Sequence, residues 1–270
     1  MSAPPVPPDD PSTPQMASPT YRLASLDPDF ILGDSMRGVR FLLEFAKADE
    51  GLRTWGVRST IVVFGSARIR EDGPDPHPRW YAAARAFGAL ASKEGGALLD
   101  GGVARHNVIC TGGGPGVMEA ANRGAFDVGA PSIGLNITLP HEQAPNSYST
   151  PELTFRFHYF AMRKMHLAMR ASALVVFPGG FGTLDELFEI LTLRQTGKSP
   201  PLPIVLFDEG YWRGILNFEA LAAAGMIAPA DLDQFRFAED AEGIWRCLLD
   251  GGLNPYESPD WSQGPDLPGW

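Results

Sequence analysis

Two glycine-rich runs carry the strongest chemical signal, GGGPG at residues 112–116 and PGGFGT at 178–183, each after an apolar stretch and before a helical pattern. Amides at a helix amino terminus with no Cβ in the way attract an anion through hydrogen bonds and the helix dipole, and phosphate is the obvious candidate. Either run alone is equally compatible with a tight strand-to-helix turn. Together at one sheet edge they favour a nucleotide or sugar phosphate. The candidate contacts are Gly113 and Gly114 in the first run and Gly179, Gly180, Phe181, Gly182 and Thr183 in the second. Gly65 and Ser66, after the first strand pattern, read as a further phosphate or ribose contact rather than a nucleophile elbow, since no GxSxG is present.

Other phosphate and metal signatures fail. The third glycine of GxGxxG is replaced by Asp185, Val117 or Glu119 in the three possible frames, and Gly197-Lys198-Ser199 has Thr192 where a phosphate-loop NTPase needs glycine. The histidines His77, His106, His141, His158 and His166 form no HExxH, and no metal or other cofactor is expected.

An acid and several basic residues surround the second run. With Leu184, Leu187, Phe188 and Leu191 as the core stripe of the following helix, Glu186 lies about 200° round from Leu184 and is expected to face away from the core. Thr183 followed by Glu186 also reads as a capping box, so spacing alone allows either a helix cap or a ligand contact. Upstream, Arg163, His166 and Arg170 share one side of a helical pattern, a solvated basic face or a sign of a local anion near the helix start. Glu142 is expected at the same edge.

The elements that position these residues are readable from periodicity. Strand patterns fall at 60–64, 108–111, 132–136, 153–157, 173–177 and 203–207, and helical ones at 80–93, 117–128, 159–171, 184–195, 212–224 and 241–249. Continuous apolar strands alternating with helices predict an α/β fold, a Rossmann-like doubly wound parallel sheet with helices on both faces. Ligands then bind beyond the carboxyl ends of the strands. Residues 1–20, rich in Pro and Ser, are expected to be a disordered tail, 21–58 a helical extension, 59–250 the catalytic domain, and 251–270 a second tail.

Composition bounds the partners. In 270 residues, 32 acidic against 22 basic side chains give a formal charge of −10, which argues against a nucleic-acid partner. No run approaches the length of a membrane helix and no secretory leader is evident. Two cysteines without CxxC spacing fit a reducing cytoplasm.

Taken together, GGGPGVMEAA, MRK and PGGFGTLDE, with 23 residues from Arg163 to Glu186, resemble the LOG (Lonely guy) family, long mislabelled as lysine decarboxylases. The likeness extends over roughly residues 59–250. It implies a phosphoribohydrolase cleaving the N-glycosidic bond of a nucleoside 5′-monophosphate, AMP or a cytokinin riboside monophosphate, to free base and ribose 5-phosphate. It further implies Arg163 and Glu186 as the catalytic pair and a phosphate held by Gly180, Phe181, Gly182 and Thr183. Lys164, Glu142, Asp185 and Thr192 match its other substrate contacts, and a homodimer or larger assembly is implied. Phe181 stands where many members have Tyr, and Asp185 where many have Glu. A binding-only nucleotide sensor or carrier of the same fold is the alternative. A pyridoxal decarboxylase finds no support, as Lys47, Lys93, Lys164 and Lys198 lack a recognisable cofactor site.

Overall fold

The computed structural model describes residues 12–98, 104–140 and 144–257. The chain divides into two units, the first ending at Lys47 and the second beginning at Ala48. The first unit contains helices α1 (Thr13–Ala17) and α2 (Pro28–Leu32) and most of α3 (Arg37–Thr54). Residues 12–20, expected within a structureless tail, carry local turns because Pro14 suits a first helical turn and the Ser18 hydroxyl accepts from the Thr20 amide. Asp27 caps α2 by accepting from the Phe30 amide, and Arg40 donates to the carbonyls of Ile31 and Gly33.

The second unit is built on a seven-stranded parallel sheet in the order β4-β3-β2-β1-β5-β6-β7. The strands are β1 Thr60–Phe64, β2 Val108–Thr111, β3 Ser132–Ile137, β4 Thr154–Phe157, β5 Ala171–Val176, β6 Ile204–Phe207 and β7 Arg236–Ala238. Every residue of β1, β2, β5 and β6 is buried, the reason these segments read as unbroken apolar runs rather than alternating ones. Helices α4 (His77–Glu94), α5 (Val117–Asp127) and α10 (Ala241–Asp250) form one layer, with α4 packed on both of its neighbours. Right-handed crossovers place α6 (Phe160–Ala168) and α7 (Phe181–Gln195) on the opposite face.

Several expectations change at their edges. The helix expected over 212–224 is two, α8 (Glu209–Ile215) and α9 (Phe218–Ala223), because Asn217 interrupts it and caps the second by accepting from the Ala220 amide at 2.9 Å. The boundary expected at 58/59 falls earlier, since Ala48, Leu52 and Val57 belong to the core of the second unit. The expected carboxyl-terminal tail begins later: Leu253 is buried, and the Asn254 carbonyl accepts from Asn107 Nδ2 at 3.0 Å. Asn107 itself is fully buried at φ 53°, bonding also to the Gly95 carbonyl.

Strand order reverses between β1 and β5, whose register pairs Phe64 with Val176. That reversal is the topological switch point, where open α/β sheets leave a crevice at their carboxyl edge.

Candidate active site

The loops following β1 and β5 are laced together at the switch point: the Ser66 amide donates to the Pro178 carbonyl at 3.0 Å. The β2 loop joins them, because the Val117 amide donates to the Ser66 carbonyl at 3.2 Å. Gly65 leaves no room for more than a hydrogen, since a Cβ there would lie 2.6 Å from Val117. Gly65 and Ser66 thus tie the β1 loop to both glycine runs.

Helix α7 starts at Phe181 with Gly180 as its N-cap, and no side chain caps it. The amides of Phe181 and Gly182 belong to the first turn, where no intrahelical acceptor exists, and the dipole adds partial positive charge. Gly180 and Gly182 face open space, with nothing within 4 Å of a Cβ built on either, and Phe181 is 92% exposed.

Glu186 departs from the sequence expectation. It is only 4% exposed, because the buried face of α7 is Thr183, Glu186, Leu187 and Ile190 rather than the expected stripe, of which Phe188 is 37% exposed. The capping box is absent too: the Thr183 amide donates to the Gly180 carbonyl, while Glu186 Oε1 accepts from Arg163 Nη2 at 3.2 Å. Burial pushes the Glu186 carboxyl up to about 7, against the pull of the Arg163 and Lys164 charges. It is burial, then, that outweighs the dipole and the arginine, and the acid titrates near neutrality.

Arg163 sits between the two glycine runs. Its Nη1 lies 3.8 Å from where a Cβ on Gly112 would stand, its guanidinium lies 5.1 Å from the centre of the Phe160 ring, and its Nε is buried with no partner among the described residues. Burial pulls it below its ordinary range, and Glu186 opposes that. The local anion that an arginine near a helix start calls for is therefore Glu186 itself. The expected basic face does not form: His166 is buried against Phe157, and Arg170, beyond the end of α6, pairs with Asp49.

The remaining candidates separate. Lys164 Nζ pairs with Asp185 at 2.9 Å and Glu189 at 3.1 Å, so Lys164 and Asp185 answer each other beside the pair. Thr192 lies roughly 18 Å along α7 from Gly180, at 1.5 Å per residue, and its hydroxyl donates to the Phe188 carbonyl at 2.7 Å. It does not join the site within one chain. Glu142 falls outside the described residues. Gly113 and Gly114 turn their carbonyls to Asn136 and Asn146. Sequence reasoning missed these two asparagines, Phe160 under Arg163, and Tyr211, which donates to the Gly179 carbonyl at 2.8 Å. No sequence signal marked them, since Phe160, 50% exposed at the start of α6, reads in sequence as one more apolar helix residue.

Residues 118–248 match the family described as "Possible lysine decarboxylase". A cytokinin riboside 5′-monophosphate phosphoribohydrolase from Rhodococcoides fascians is 29% identical over 161 residues, 58% of this chain and 78% of that protein. The LOG1 enzyme of the same name from Arabidopsis thaliana is 29% identical over 147 residues, 53% of this chain and 68% of that one. The chain is thus similar to proteins of the LOG family. A solved structure, the molybdenum cofactor binding protein from Rippkaea orientalis, superposes on this chain with a TM-score of 0.48 at 20% identity, covering 72% of it and 97% of the other. Among the described residues, no helix is long and apolar enough to cross a membrane.

Proposed function

We propose that this protein hydrolyses the N-glycosidic bond of a purine nucleoside 5′-monophosphate, AMP or a cytokinin riboside monophosphate, to free base and ribose 5-phosphate. The observation that carries the reading is the buried Arg163–Glu186 pair beside an open glycine loop at the switch point. The names of the relatives, phosphoribohydrolases acting on cytokinin riboside 5′-monophosphates, support the substrate class.

The phosphate sits on the Phe181 and Gly182 amides, which leaves the sugar within reach of Glu186. Cleavage of the C1′–N9 bond passes through an oxocarbenium-like state, and an ionised Glu186 stabilises that charge and orients the attacking water. Water's hydroxyl ends on C1′ and its proton on N9 of the purine. Arg163 holds Glu186 and faces the departing base. Because the ionised carboxylate does this work and its titration lies near 7, kcat/KM rises with pH through that region.

The assembly reading is a homodimer or larger, supported by Phe181 and Phe188 standing 92% and 37% exposed along α7. Cys110 and Cys247 are free thiols, in keeping with a cytoplasmic setting.

The test is incubation with AMP and chromatography for adenine. Glu186→Gln is expected to lower adenine release about 10³-fold while AMP still raises the melting temperature. Full activity in that variant removes Glu186 from the chemistry; AMP binding without adenine release from the wild type identifies a nucleotide sensor instead.

A further inference from the structure

We infer that Tyr211 is a positioning residue for the phosphate-binding loop, fixing which way one peptide faces. The inference rests on residues 178–183 being that loop.

Three successive carbonyls of the loop are turned into the protein. Pro178 O accepts from the Ser66 amide at 3.0 Å, Gly179 O from Tyr211 Oη at 2.8 Å, and Gly180 O from the Thr183 and Leu184 amides at 3.0 Å. An outward-facing carbonyl would repel a phosphate, so amide-only presentation requires all three inward. Backbone donors hold the first and third. The second lies in the peptide between Gly179 and Gly180, where neither flanking residue has a Cβ to resist rotation. The orientation of this softest peptide is selected by one phenolic hydroxyl.

The fold fixes that hydroxyl from three elements. Asp208, at the end of β6 in a left-handed conformation (φ 71°), accepts from the Tyr211 amide at 2.9 Å through Oδ1. Its Oδ2 accepts from Trp80 Nε1 at 2.7 Å and Arg79 Nη1 at 3.0 Å, both from α4. The Trp80 ring meets the Tyr211 ring edge-on at 5.4 Å, and Trp212 does so at 5.3 Å. A strained residue, two aromatic rings and an arginine thus converge on a side chain whose polar end touches only the loop.

The experiment compares AMP with adenosine, which lacks the phosphate, by calorimetry on wild type, Tyr211→Phe and Trp80→Phe. Tyr211→Phe keeps the ring and its packing. It is expected to weaken AMP about tenfold, leave adenosine unchanged, and shift the melting temperature little. Trp80→Phe, which leaves the phenol in place but removes one of the two donors to Asp208 Oδ2, is expected to act in the same direction and less. If Tyr211→Phe weakens both ligands equally, or neither, the inference fails while the phosphate loop stands. If wild type binds AMP no more tightly than adenosine, the phosphate loop falls and the inference with it.

Discussion

The two glycine runs look alike in sequence and do opposite things in the fold. In residues 112–116 the glycines answer to the protein. Gly113 has φ 69° and a Cβ there would sit 2.2 Å from Asn136 Oδ1; Gly116 has φ 74° and would meet the Ser66 carbonyl at 2.3 Å. The polar groups are spent internally too: the Gly113 amide donates to Thr111 Oγ1, and the Gly113 and Gly114 carbonyls accept from Asn136 and Asn146. In residues 178–183, Gly180 and Gly182 have nothing before them within 4 Å, and only Gly179 is required by a neighbour, Thr183 Oγ1 at 2.1 Å. A glycine with an internal neighbour pressed against it explains itself. One that faces empty space beside first-turn amides has no such internal reason, and the proposed phosphate supplies one.

The largest effect that would break this contrast is on stability. Gly116→Ala meets backbone, which cannot swing aside, in a region of φ that alanine resists, so it should destabilise by roughly 3 kcal/mol or more. For a domain of this size that is roughly 10 °C in Tm, read by calorimetry. A variant that melts as wild type does would mean the first run has slack, and its amides would return as ligand contacts.

Titration acts on the second run alone. Glu186 is held at about 7 in the fold against 4.5 as the ordinary value, so its contribution to stability is fully present below 4.5 and lost as pH rises through about 7. Glu186→Gln does not titrate. Its stability relative to wild type should therefore improve by about 3 kcal/mol between pH 4 and pH 8, since each pH unit separating the folded from the unfolded titration is worth about 1.4 kcal/mol. Denaturant unfolding at both values measures this. A difference that stays flat with pH would mean the acid is solvated, and the neutral limb expected in kcat/KM would lose its cause.

How much of this was legible beforehand follows from which interactions are local. Buried strands such as Ala171–Val176 announce themselves because both faces need apolar groups, and the loops announce themselves by glycine. The three-residue β7 did not, as a short edge strand with Arg236 exposed carries no run to detect. Glu186 was singled out for its spacing and misjudged in its setting: the apolar period placed Leu184, Phe188 and Leu191 inward, whereas the buried face carries Thr183, Glu186, Leu187 and Ile190, and spacing cannot know that Arg163 answers the acid there. The split role of the glycine runs was hidden for the same reason. It is decided by Asn136, Asn146 and Ser66, which lie far from the runs they pack against or on another strand's loop.

The smallest expected effect tests the comparison most directly, because its two readouts move in opposite directions. Gly182 lies in the first turn of α7, where a methyl group meets nothing within 4 Å, so alanine replaces the residue with the greatest unfolded freedom by the best helix former. Gly182→Ala should stabilise the fold by up to about 1 kcal/mol. The same methyl enters the space before the Phe181 and Gly182 amides and should weaken AMP by about tenfold, or 1.4 kcal/mol. Thermal melting and calorimetric titration on one sample separate the two. Gain of stability with loss of affinity marks a glycine held for a ligand, the reverse of Gly116→Ala; unchanged affinity would place the phosphate elsewhere along the sheet edge.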